Sequence, residues 1–138
     1  MFVIFFFSGI MLNSKIFLKE DMVADSKTKS LLCVKAAIDK KAEEPVLLDM
    51  KETSSFTDYF VICSGRSDRQ VQAIARGIEE SLEKEGIRPL GLEGVPAGKW
   101  ILMDYEDVVV HIFLEPVRNF YDLEGLWIDA LRIEVEKE

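Results

Sequence analysis

The chain has 138 residues, of which 49% are hydrophobic and 30% charged, enough for one globular domain with a continuous core. Its formal net charge of −8 is unevenly placed: from Asp104 onward ten acidic side chains stand against Arg118, Arg132 and Lys137, while residues 1–103 are close to neutral. Such a field repels phosphate and attracts basic surfaces, which argues against direct nucleic-acid binding. The two cysteines, Cys33 and Cys63, lack CxxC spacing and read as buried, reduced thiols of a cytoplasmic protein.

The opening MFVIFFFSGIML has no basic start and no small-residue cleavage site. It offers about a dozen apolar residues where a membrane span needs roughly 20. Residues 1–25 are therefore expected to be an unpacked extension, with Met22 as the expected true start, and no membrane association is expected. A first helix is predicted from Ser26 or Thr28, where Leu31, Val34 and Ile38 recur at helical spacing and Lys35, Lys40 and Lys41 face water. Pro45 cannot continue it, and the apolar run 46–50 reads as a short buried strand. After a polar loop, residues 58–63 (DYFVIC) form a second, β-branched and aromatic strand. Ser67 with Gln70 three residues on is a capping-box signature opening a second helix, whose apolar face is Val71, Ile74, Ile78 and Leu82. Gly86 suits the left-handed cap that ends it.

Residues 90–93 give a weak third strand, and residues 99–114 (KWILMDYEDVVVHIFL) a hairpin. Its first strand alternates, while its second is nearly continuously apolar and so reads as an interior strand covered on both faces. Trp100, Met103 and Tyr105 cannot all be buried on one side by period-two alternation, so at least one should reach solvent. Pro116 opens a last helical region, 116–127, that the tail is expected to extend as an amphipathic helix, with residues 131–138 an acidic tail. The whole is an α/β domain spanning 26–130, with a mixed five-stranded sheet flanked by helices. Strands one and two should be antiparallel because their link is too short for a crossover, and strand two should run parallel to a later strand.

Catalytic constellations are sparse. The turn 64–70 offers a strand–glycine–helix arrangement in which Ser64, Gly65, Ser67 and Arg69, with Arg66 nearby, could hold an anion. It matches neither of the usual glycine-rich phosphate motifs, and plain helix capping explains Ser67 and Gln70. Asp104 and Glu106 have the spacing of a metal-binding carboxylate pair, but Glu106 falls in the turn, so no metal site and no cofactor are expected. His111, the only histidine, lies in the most apolar strand without a second ligand, and reads as a core histidine. Trp100 and Tyr105 carry polar handles on an incompletely covered hairpin, which suits either an interface or ordinary packing.

Three blocks, DYFVICSGRSDRQVQAIA, LEGVPAGKWILMDYEDVVVHIF and RNFYDLEGLWIDA, resemble the Iojap family of ribosomal silencing factors in order and spacing, over about residues 31–130. The resemblance implies a fold similar to nucleotidyltransferases without their metal-binding carboxylates, and no enzymatic activity. It implies binding to the large ribosomal subunit through ribosomal protein number fourteen, which blocks joining of the small subunit and lowers translation when nutrients are short. The family's contact residues match Trp100 and Tyr105 on the hairpin and Arg118 and Tyr121 in the last block; Met103 and Asp107 complete the expected contact set. Where the family has glycine in the turn, DYGD, this chain has Glu106. A free monomer or weak homodimer is expected. The rival from another class is a nucleotide-binding or nucleotidyltransferase-like enzyme using the turn at Ser64 to Gln70.

Overall fold

A computed structural model describes residues 25–135; the expected extension and alternative start at Met22 lie outside the described residues, apart from Asp25. Asp25 caps helix α1 (Ser26–Asp39), its carboxylate accepting from the Thr28 N–H at 2.9 Å. Strand β1 (Glu43–Asp49) begins before Pro45, earlier than predicted. The proline is tolerated because the register with the next strand shifts between Glu43 and Val46, and Glu44 takes a φ of 49°. Strand β2 (Tyr59–Gly65) leads through the Ser67 cap into helix α2 (Asp68–Glu83). Short β3 (Gly91–Glu93) precedes the hairpin of β4 (Trp100–Asp104) and β5 (Val108–Leu114).

The predicted single helix after the hairpin is two. Helix α3 (Glu115–Tyr121) stops where Asp122 turns left-handed at φ 46°, and α4 (Leu123–Leu126) starts from the same residue. Over its described residues the tail is not helical: Leu131–Ile133 form β6, paired antiparallel with β1. Leu131, Ile133 and Val135 alternate with Arg132 and Glu134, a period-two signal that the acidic composition obscured. The sheet therefore has six strands rather than five, in the order β3-β4-β5-β2-β1-β6. As predicted, it is mixed: β1 and β2 are antiparallel, β2 and β5 parallel, β4 and β5 antiparallel.

The two sheet faces have different fates. Helices α1 and α2 lie on one, burying Cys33, Leu47, Tyr59, Val61, Cys63, Ile74, Ile78, Ile101, Met103 and Val110 in the main core. Burial pushes both thiols, Cys33 and Cys63, up to about 12. The opposite face holds a smaller cluster of Leu48, Met50, Ile62, Phe113 and Ala130, with Val117, Leu123 and Trp127 packed over it. That cover is short, and it leaves part of β4 and β5 open.

The hairpin turn is unusual. The Asp107 N–H donates to the Tyr105 carbonyl at 3.0 Å around Glu106, whose φ is 78°. This is the strained form of the three-residue γ-turn, which a side chain disfavours. The Asp104 carboxylate compensates by accepting from the Glu106 N–H at 2.8 Å. Replacing Glu106 by glycine is expected to stabilise the domain by about 1 kcal/mol, read as a higher urea midpoint at constant slope. An unchanged midpoint would show that the Asp104 hydrogen bond already absorbs the strain.

Candidate functional site

The open part of the second sheet face is built by strand parity. Register places Trp100 opposite Phe113, Leu102 opposite His111 and Asp104 opposite Val109, and the parallel pairing continues the face to Phe60 and Ile62. Side chains two apart share a face, so these form one surface, while Ile101, Met103 and Tyr105 point the other way, beneath α1 and α2. Trp100 is half-buried at the head of β4, where Gly94 lets the preceding loop lie against its carbonyl; a Cβ on Gly94 would sit 2.0 Å from that oxygen.

Around Trp100 the aromatic rings are contiguous. Its ring lies 4.8 Å from that of Phe113 and 4.9 Å from that of Tyr121, and Phe120 makes an edge contact with Tyr121 at 5.1 Å. Phe120 is 80% exposed and Tyr121 51% exposed, so the cluster ends in solvent. Its other end runs through His111 to the half-buried Phe60 and on to Trp127. The Trp100 Nε1–H donates to His111 Nδ1 at 3.1 Å. His111 itself is 5% exposed, and burial lowers its pKa to about 4, so the imidazole is neutral at physiological pH.

The residues expected from sequence divide sharply. Trp100 and Tyr121 come together as contacting, partly exposed rings. Met103 is fully buried and Tyr105 is 2% exposed, so neither reaches a partner; the correction follows from α1 and α2 occupying their face. Burial raises the Tyr105 hydroxyl above its ordinary range. Asp107 is tied to α1, taking a hydrogen bond from Lys29 Nζ at 2.6 Å, and the same ammonium donates to the Tyr105 carbonyl at 3.2 Å.

Arg118 is also corrected, because its guanidinium faces inward. It donates to both Glu124 carboxylate oxygens, at 3.3 and 2.8 Å, to Ser64 Oγ at 3.1 Å and to the Glu43 carbonyl at 3.3 Å. Burial works against the charged form of Glu124, but Arg118, with help from Arg132, outweighs it and holds that carboxyl below its usual range. Both arginines are thus turned onto Glu124. Exposed Glu115 and Asp122, at the two ends of the helix that carries Phe120 and Tyr121, make that side acidic, with exposed Lys99 next to Trp100 in the chain.

At the turn of Ser64, Gly65, Ser67 and Arg69 part of the donor set is already committed within the fold, while the Arg69 side chain is exposed. The Gln70 N–H goes to Ser67 Oγ at 3.1 Å, the Arg66 N–H to Gln70 Oε1 at 2.7 Å, and Ser64 Oγ to the Glu43 carbonyl at 3.3 Å. The Arg66 side chain is paired with Glu43 at 2.7 Å. Among the described residues, no group of three or more histidine, cysteine, aspartate or glutamate side chains is placed to hold a metal, and no helix is long and apolar enough to cross a membrane. Sequence reasoning missed Phe60, Leu102, Val109 and Phe120 as surface members. For Phe60, Leu102 and Val109 the signal was strand parity with Trp100, which the register makes explicit, whereas Phe120 joins from the helix through its contact with Tyr121.

Comparison with known proteins gives a consistent result. The family model described as "Ribosomal silencing factor during starvation" matches residues 23–138. Ribosomal silencing factor RsfS of Bacillus subtilis is 48% identical over 104 residues, covering 74% of this chain and 88% of that protein. A crystal structure of a Chromobacterium violaceum protein is similar with a TM-score of 0.75 at 32% identity, covering 83% of this chain and 95% of that one. At greater distance, "Mitochondrial assembly of ribosomal large subunit protein 1" of Mus musculus is 30% identical over 91 residues, 64% of this chain and 40% of that protein.

Proposed function

The chain belongs to the ribosomal silencing factor family, and from that premise we propose that it binds the large ribosomal subunit through ribosomal protein number fourteen. Bound there, it blocks docking of the small subunit and lowers translation when nutrients are short. The action is steric: occupying the surface suffices, and no bond is made or broken.

The observation that carries this reading is the uncovered aromatic cluster of Trp100, Phe120 and Tyr121 on the sheet face opposite the two long helices. Large aromatic side chains with a polar atom are the usual energetic centres of protein interfaces, and contiguous exposed apolar surface is costly to keep without a partner. The acidic side of the cluster suits a cationic ribosomal protein, and such complementarity accelerates and orients an encounter more than it tightens the complex. The large-subunit assignment draws on the name of the mouse relative and on the family's silencing role.

Truncating Trp100 to alanine is expected to weaken association with purified large subunits by about 2 kcal/mol, roughly thirtyfold. Sucrose-gradient cosedimentation measures it, with circular dichroism of the free variant as the control for folding. Unchanged cosedimentation by a folded variant would remove this face from the interface.

A further inference from the structure

We propose that His111 is a positioning residue for the interface: its imidazole fixes the ring of Trp100 in the orientation that the ribosomal partner meets. This rests on Trp100 being a contact residue, as argued above.

The inference comes from what the histidine does in the fold. An indole N–H only donates, so Nδ1 of His111 must be the acceptor in the 3.1 Å bond, and the ring's proton sits on Nε2. That Nε2 atom is buried with no hydrogen-bond partner among the described residues. A buried, unsatisfied N–H is a standing cost that a phenylalanine or leucine at this strand position would avoid. Packing alone therefore does not account for a histidine here. Among the described residues, the one hydrogen bond its imidazole makes is with Trp100.

The imidazole is itself held firmly. It stacks with Phe113 at 12° and 6.2 Å, and meets Phe60 edge-on at 73° and 4.8 Å. A ring fixed on two sides can fix a third. The Trp100 ring, tilted by 33° over Phe113 and 46° against Tyr121, is anchored at its nitrogen end, and the residue as a whole is only half-buried. A large side chain locked in its bound orientation loses less freedom on binding, which is how preorganisation strengthens an interface.

The test compares His111→Phe, which keeps a ring but has no acceptor, with His111→Asn, whose side-chain oxygen can take the place of Nδ1. Both are made in the full chain and, for spectroscopy, together with Trp127→Phe so that Trp100 is the only indole. The expected result for His111→Phe is a free protein no less stable than the parent, with lower Trp100 fluorescence anisotropy and dissociation from purified large subunits about tenfold faster. His111→Asn is expected to restore the anisotropy and to dissociate within about twofold of the parent. Should the phenylalanine variant fail to fold, His111→Leu serves the same comparison.

If His111→Phe leaves anisotropy and dissociation unchanged while Trp100→Ala still weakens binding, the positioning role is overturned and the interface stands. If Trp100→Ala binds as the parent does, the interface reading fails, and this inference with it.

Discussion

Arg118→Met is expected to destabilise the domain by about 3 kcal/mol, because it strands a partly buried carboxylate. The guanidinium gathers Glu124, Ser64 Oγ and the Glu43 carbonyl, so one side chain joins α4, β2 and β1 to α3. Without it, the cation left beside Glu124 among the described residues is Arg132, at 3.7 Å on a more exposed side chain. Methionine retains much of the apolar stem, so the loss isolates the hydrogen bonds and charge. Urea unfolding checks the magnitude. The double variant with Glu124→Gln should recover part of it, since removing both charges leaves less unsatisfied than removing one. A variant with parental stability but no affinity for large subunits would return Arg118 to the contact surface.

Acidification provides the second large effect. His111 has a folded pKa of about 4 against an ordinary 6.5, with burial as the cause. The unfolded chain binds a proton between these values while the folded one does not. The stability linked to His111 is therefore complete above pH 6.5 and is lost as pH falls towards 4. At 1.36 kcal/mol per unit, about 2 kcal/mol should disappear between pH 7 and 5, and about 3 kcal/mol by pH 4. Glu124 adds its own loss only below its unfolded value near 4.5, because its folded pKa is lowered. The chain has a single histidine, so the window from pH 7 to 5 reports on it alone. Urea midpoints across that window should slope for the parent and lie flat for His111→Phe. A parent profile as flat as the variant's would mean the imidazole is better solvated than its 5% exposure implies.

Much of the architecture was legible in the chain, for reasons that were local. Leu31, Val34 and Ile38 at helical spacing, the Ser67–Gln70 cap and the apolar run ending at Leu114 each announce an element within a few residues. Strand β6 escaped because the charges around it masked three alternating apolar side chains. The site was half legible. Trp100 stood out, and alternation alone separates it from Met103 and Tyr105, but which face the helices would cover is decided by packing across the whole sheet. Arg118 was illegible as an internal tie: two of its partners, Glu43 and Ser64, lie 75 and 54 residues away. The Glu106 turn was not legible locally: only the resemblance puts glycine there, which left the turn type open, and the structure shows that a side chain is carried at a φ of 78°.

The two native thiols, sealed under the helices and pushed up to about 12, present almost no thiolate at neutral pH. Alkylating dyes and spin labels should pass the parent molecule by. A cysteine introduced at exposed Lys99 or Glu115, close to the Trp100 ring, becomes a single reactive handle without any need to delete Cys33 or Cys63. The chain comes ready for site-selective labelling, and its arrival on and departure from a ribosome become directly observable by energy transfer.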